Sequence, residues 1–115
     1  MNHFISLSTA VAMTSRFRDY CENILKAEYQ GQNILAYSES FERAAFDALL
    51  SKNETVGLRI YYGMDENLKI HAIIVGFDLN GEDILPESLT GPDEDIIDNG
   101  NRCPDICPPP SPLNE

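Results

Sequence analysis

The sequence predicts an α+β fold, in which two N-terminal helices pack on a three-stranded antiparallel meander and an extended or disordered tail follows. Three observations predict this arrangement. Apolar residues recur every three to four positions up to about residue 52 and alternate from Val56 onward. Asn80-Gly81, a dipeptide that favours a tight hairpin turn, separates two apolar runs. All seven prolines lie at or beyond Pro86. We therefore expect a small domain over residues 1–85 and an acidic, proline-rich tail over residues 86–115.

Two helices are predicted before the strands. Ser6 can cap the first helix, which is expected over about residues 7–29 and has one apolar stripe. Ser38 or Ser40 can cap the second helix, which is expected to end near Lys52.

Three strands are predicted after the helices. The alternation over residues 56–62 is typical of a strand with one covered face. Residues 68–79 are apolar on both faces near the centre of the run, so we expect burial on both sides there. Ile84 and Leu85 begin a short third strand. Acidic and amide side chains surround Gly81 as in a calcium loop, but turn chemistry already explains them, because the alternating ligands and final glutamate of such a loop are missing.

The net charge of −11 is concentrated in the C-terminal third of the chain. Residues 1–77 carry nine acids and seven bases, whereas residues 78–115 carry ten acids and Arg102 as their one base. Nucleic acids and anionic membranes are unfavourable partners for such a surface, because their phosphates bind lysine and arginine. A basic protein surface or a cation fits better. Ile96 and Ile97 form an apolar pair through which the tail could dock on the domain.

The N-terminus lacks the charged and apolar regions of a signal peptide, and the sequence has no run of eighteen apolar residues. We therefore expect a cytoplasmic protein in which Cys21, Cys103 and Cys107 are reduced thiols.

One face of the predicted hairpin combines aromatic, basic and apolar side chains, as the centres of protein interfaces do. We expect this face to bind a protein partner or a second copy of the chain, for example as a homodimer. It stays open unless the tail or residues 34–37 cover it. The residues of this predicted surface are Arg59, Tyr61, Lys69, His71, Ile73, Val75 and Phe77.

Two other kinds of site are weaker candidates. Cys103 and Cys107 could bind a soft metal, close a small disulfide or act as a redox pair, although structural zinc sites usually have a second ligand pair. His71 could act as a general base if Tyr61, Arg59 or Asp65 lay beside it. A nucleophile is missing, because Cys21 belongs to an apolar helix stripe. No catalytic residue and no cofactor are predicted.

Several segments resemble a group of small uncharacterised bacterial proteins: Arg59 to Asp65 (RIYYGMD), residues 71–76, and the Cys/Pro-rich end that begins at Arg102. The resemblance implies no activity. The sequence therefore predicts a non-enzymatic protein–protein interaction module, and an acidic immunity or antitoxin-like protein is one form of it. The alternative is a metal-binding or thiol redox protein that uses Cys103 and Cys107.

Overall fold

The structure is a computed structural model that describes residues 2–115. It is mixed α+β, and the chain divides into two compact units. The first unit comprises Met1–Ser38 and Arg102–Glu115, and the second comprises Glu39–Asn101. Helix α1 spans Leu7–Tyr20 and helix α2 spans Arg43–Leu50. The strands are β1 (Ser38–Ser40), β2 (Gly57–Met64), β3 (Ile70–Phe77), β4 (Asp83–Ile84), β5 (Ile96–Ile97) and β6 (Asn101–Cys103).

Ser6 caps α1 as predicted, because its side chain accepts a hydrogen bond from the Thr9 backbone N–H at 3.1 Å. The predicted end near residue 29 is wrong. After Tyr20 the chain forms two short 3₁₀ turns, Cys21–Ile24 and Ala27–Tyr29. The backbone is extended at Leu25, whose carbonyl oxygen accepts from the side chain of Gln30 at 3.0 Å. This side chain satisfies a carbonyl that a continuous helix would have bonded internally.

Helix α2 begins later than predicted, because residues 38–40 form β1 instead of a helix cap. Glu42 stands at the N-cap position, and the helix buries Leu49. No helix among residues 2–115 has the length and apolar character needed to cross a membrane.

The second unit is built on a four-stranded antiparallel sheet with β3 at its centre. β2 pairs with β3 over eight residue pairs, from Gly57 with Phe77 to Met64 with Ile70. The opposite edge of β3 carries two short strands in succession. β4 pairs with the end of β3, and β5 pairs with Ile74 and Val75. The predicted three-stranded meander is therefore wrong by one strand.

The centre of β3 is buried on both faces, as its sequence predicts. Ile74 and Val75, which point to opposite faces, are 3% and 2% exposed. The apolar pair Ile96–Ile97 supplies β5 and thus docks on the domain as expected.

The prediction of an extended or disordered tail is also wrong. Residues 86–115 contribute β5 to the four-stranded sheet, and β6 pairs with β1 in a separate two-stranded sheet. Asp95 is buried and forms an ion pair with Lys52. Cys103 and Cys107 are joined by a disulfide. A high content of proline and acids predicts disorder for a segment as a whole. It does not reveal strands of two or three residues, because so few residues hardly change the composition of the segment.

Candidate functional site

Most residues of the predicted surface lie on one face of the β2–β3 hairpin. The register pairs Arg59 with Val75 and Tyr61 with Ile73, and paired residues share a face. The same register places His71 and Phe77 on this face. Lys69 precedes β3, and its carbonyl oxygen accepts from the Asp65 N–H at 3.0 Å in the connecting turn. The binding role of these residues stays a prediction.

The polar groups of this face are bonded to one another through Asp83 on β4. Arg59 and the Tyr61 hydroxyl donate to separate oxygens of the Asp83 carboxylate. Arg59 also donates to the Gly81 carbonyl at 3.0 Å, and its guanidinium lies 4.8 Å from the centre of the Phe77 ring. We call Arg59, Tyr61 and Asp83 the Asp83 cluster. It links β2 to β4 across β3, and sequence reasoning missed it because Asp83 is more than twenty positions from the other two members.

The contacts within the Asp83 cluster shift the pKa values of all three members. The hydrogen bond from Tyr61, followed by that from Arg59, lowers the pKa of Asp83. The same contacts raise the pKa of Tyr61 and that of Arg59, in both cases chiefly through the hydrogen bond to Asp83. Asp83 is therefore ionised and Tyr61 neutral near pH 7. Arg59 is held by an internal counter-ion, so the face presents a neutralised pair to a partner.

His71 lies beside Asp65, as one version of the general-base hypothesis requires. Its Nε2 is 2.7 Å from Asp65 Oδ2, and the other carboxylate oxygen accepts from the N–H groups of Asn67 and Lys69 at 2.8 and 3.0 Å. The bond to His71 is the main cause that lowers the pKa of Asp65. These bonds close the turn between β2 and β3. Nδ1 of His71 is buried and has no hydrogen-bond partner among residues 2–115.

The outer edge of β2 has unpaired backbone groups. Antiparallel strands bond at alternate residue pairs, and Asp65 bonds to Lys69 just beyond the end of β2. The odd-numbered residues of β2 therefore bond to β3. The even-numbered residues direct their N–H and C=O groups away from it, and no other strand among residues 2–115 pairs with them. These residues are Leu58, Ile60, Tyr62 and Met64.

The opposite edge of the sheet confirms this alternation. The N–H of Ala72 on β3 points away from β2 and donates to the Glu39 carboxylate at 3.0 Å. Ile74 and Gly76, the next even-numbered residues, pair with β5 and β4. The outward groups of β3 are thus bonded at these positions, whereas those of β2 are not.

Apolar side chains accompany the unpaired groups of β2. Ile60, Tyr62 and Met64 are 53%, 81% and 62% exposed. The sequence pattern predicted a covered face over residues 56–62, which is wrong for Ile60 and Tyr62. Met64 lies beyond that predicted strand, and the observed strand includes it. We use the name β2 edge for the outward backbone groups of Leu58, Ile60, Tyr62 and Met64 together with their side chains. Long exposed strand edges of this kind are templates for pairing with another chain.

Two of the three cysteines differ from the predicted reduced thiols. Cys103 and Cys107 form a disulfide, and Cys103 is buried while Cys107 is exposed. Cys21 is free and buried, and burial is the main cause that raises the pKa of its thiol, as expected for an inert core residue. No three His, Cys, Asp or Glu side chains within residues 2–115 form a group that could hold a metal ion. Metal binding by Cys103 and Cys107 stays a prediction for the reduced chain.

An apolar groove of about 820 Å³ lies in the first unit beside the disulfide. Met13 and Phe17 of α1 line one side of it, and the C-terminal segment lines another. Arg18 holds this segment against the helix, since it donates to the carbonyl oxygens of Leu113, at 2.6 Å, and Glu115.

The chain matches no family model, no curated protein and no solved structure. The resemblance to small bacterial proteins stays a prediction, and the function proposed below is inferred from the β2 edge, the Asp83 cluster and the disulfide.

Proposed function

We propose that the chain is a non-enzymatic protein–protein interaction module that binds its partner by adding a strand to the β2 edge. The observation that supports this function is the run of outward backbone groups along β2, flanked by exposed apolar side chains. In strand addition, backbone hydrogen bonds provide affinity and alternate side chains provide specificity.

The β2 edge can supply part of the free energy that offsets the entropic cost of association. Each of the four outward residues offers one donor and one acceptor. A hydrogen bond of this type contributes about 0.5–1.5 kcal/mol net, so pairing along the whole edge gives several kcal/mol before side-chain contacts are counted. Ile60, Tyr62 and Met64 add apolar area that leaves water when a strand is added.

Contacts among residues of the hairpin face hold β2, the edge strand, in place. The Asp83 cluster joins the edge strand to β4, and Phe77 packs under the Arg59 guanidinium. These contacts hold β2 in one geometry before a partner arrives. A pre-ordered edge loses less conformational entropy on binding than a flexible one.

The charge of the second unit favours a basic partner. Residues 39–101 carry fourteen acids and four bases, a balance of −10. A field of this sign speeds the approach of a positively charged protein and becomes weaker as salt is added. An acidic immunity or antitoxin-like protein in the cytoplasm is one form of this proposal.

Tyr62→Pro tests the proposal directly. Proline removes one outward N–H while leaving the β2–β3 bonds intact, and edge strands tolerate it at such positions. Peptides selected from a random library should protect the amides of Leu58, Ile60 and Met64 from hydrogen exchange in the unaltered protein. They should bind Tyr62→Pro at least tenfold more weakly. Tyr62→Thr keeps the N–H and is the matched control, so it should retain most of the affinity. Peptides that bind Tyr62→Pro as tightly as the unaltered protein would contradict strand addition.

We also propose a thiol redox role as the second candidate, supported by the disulfide between Cys103 and Cys107. An external thiolate would attack the exposed Cys107 sulfur and release the Cys103 thiolate, and a second external thiol would then complete the two-electron reduction. Thiol counting in glutathione buffers of graded ratio tests this role. A pair that stays oxidised at every ratio would exclude it. Zinc titration of the reduced protein tests the metal-binding form in the same sample.

A further inference from the structure

We propose that the strand bound by the β2 edge is β2 of a second copy of this chain, paired antiparallel about a two-fold axis that passes beside Tyr61. The two four-stranded sheets then join into one continuous sheet. This inference rests on the proposed function, because it uses the same edge, and it names a second copy as the occupant in place of the basic partner that the charge of the second unit favours.

The positions of the outward groups determine the register. Hydrogen-bonded pairs must join residues whose groups point outward in both copies. An axis beside Tyr61 places Leu58 opposite Met64 of the second copy and Ile60 opposite Tyr62 of the second copy. All four outward residues of each copy are then bonded, which gives about eight hydrogen bonds. An axis at Ile60 or at Tyr62 pairs only three outward residues of β2 per copy and gives about six.

The side chains also match in this register. Ile60 and Tyr62 lie on the same face of β2, and each meets the other residue type on the second copy. Pairs of an aromatic and a β-branched side chain across strands contribute about 0.2–1 kcal/mol each. Leu58 and Met64 form the outer apolar pairs. The exposed apolar side chains of one edge thus cover those of the other.

No like charges meet along the two paired β2 strands. Arg59 is the one charged residue of β2, and the register places it opposite Gly63 of the second copy, which has no side chain to meet it. Asp83 of its own chain already neutralises it. The charge balance of −10 on each second unit repels the other copy at long range, but this repulsion is screened beyond about 10 Å at 0.1 M salt. Self-pairing should therefore become stronger as salt is added, whereas binding to a basic partner becomes weaker.

Sedimentation equilibrium of the full chain over a range of protein concentrations, at low and moderate salt, tests the inference. We expect a monomer–dimer equilibrium that shifts toward dimer with salt, and slower hydrogen exchange at the Ile60 and Tyr62 amides as the dimer forms. Tyr62→Pro should weaken dimerisation at least tenfold. Tyr62→Lys, which leaves the backbone intact, should do the same by placing like charges near each other across the axis.

Cross-linking tests the register. In the proposed pairing the two copies of residue 61 face each other in a non-hydrogen-bonded pair, whose Cα atoms lie about 4.5 Å apart, within reach of a disulfide. Tyr61→Cys should therefore give a covalent dimer under mild oxidation. Met64→Cys is the matched control, because the two copies of residue 64 lie about 20 Å apart along the strands. Equal cross-linking of the two variants would overturn the register.

The outcomes separate this inference from the proposed function. A chain that stays monomeric at all concentrations and salts overturns self-pairing. If selected peptides still protect the β2 edge amides in that case, strand addition stands and a different partner occupies the edge. A dimer that tolerates both Tyr62→Pro and Tyr62→Lys overturns the use of this edge.

Discussion

Ile60 and Ile74 are cross-strand partners that share one face of the sheet and differ sharply in burial. Ile74 is 3% exposed, whereas Ile60 is 53% exposed. The same substitution at both positions therefore measures how well that face is packed, at constant chemistry and strand context. We predict that Ile74→Ala destabilises the protein much more than Ile60→Ala.

The expected magnitudes follow from the groups removed. Isoleucine to alanine deletes three carbon groups, each worth about 0.8 kcal/mol when buried. At Ile74 the remaining cavity raises the cost to about 3–4 kcal/mol, because β2 and β5 flank it and restrict collapse. At Ile60 about half of the transfer term is absent and no closed cavity forms, so the cost is about 1 kcal/mol.

Urea unfolding followed by circular dichroism checks this prediction, at a protein concentration at which the unaltered chain is monomeric. Ile74→Ala should lower the midpoint with an unchanged slope, which indicates a change in stability alone. Ile60→Ala should shift it by about a third as much or less. Equal shifts at the two positions, or an Ile74→Ala cost below about 1 kcal/mol, would show that β2 and β5 do not enclose Ile74 as described.

Three further substitutions test separate contacts. Gly57→Ala should cost about 1–3 kcal/mol in urea unfolding, because the added carbon would lie 2.5 Å from the Phe77 ring. Replacing Cys103 and Cys107 by serine should lower stability by about 2 kcal/mol, since the disulfide closes a very short loop, and reductant should then have no further effect. Asp83 has a lowered pKa, so its ionised form stabilises the fold above the ordinary pKa and this contribution is lost as pH falls through the lowered value. Asp83→Asn should therefore be less stable at pH 7 and show a weaker loss of stability on acidification below about pH 4, measured by urea midpoints across pH.

Local chemistry explains why a turn at Asn80-Gly81, between β3 and β4, could be predicted from sequence. The expected tight two-residue form is wrong, because the loop closes through the Asp78 N–H and the Glu82 carbonyl at 3.0 Å and Gly81 alone of the pair has a positive φ. The Asp78 carboxylate accepts from the N–H groups of Asn80 and Glu82 at 2.9 and 3.0 Å. Gly81 has a φ of +78°, which glycine adopts without strain. Every partner in this turn lies within four positions of the others, so the sequence order itself brings them together. The Ser6 cap of α1 was predictable for the same reason.

Contacts between distant positions could not be predicted in the same way. Asp83 binds Arg59 across 24 positions, and the sequence pattern had assigned the acid to a turn. β5 is two residues long and lies in a segment rich in acids and proline. β5 pairs with β3 because one edge of β3 is free beyond β4. Neither the composition nor the periodicity of the sequence reveals such a free edge. The disulfide could not be predicted from sequence either, because Cys103 and Cys107 have the same spacing whether they are bridged, free or metal-bound.

The fourth strand also determines which sheet edge is open to the proposed partner. In a three-stranded meander, part of β3 beyond β4 would be open on one side, and the two sheet edges would compete as docking sites. β5 and the Glu39 carboxylate occupy that part of β3, so the long unpaired edge that remains is β2. The Asp83 cluster meanwhile satisfies the polar groups of the hairpin face. Binding energy is therefore available at the backbone of β2 more than at the side chains of the predicted surface, and edge variants should affect association more than variants at His71 or Lys69.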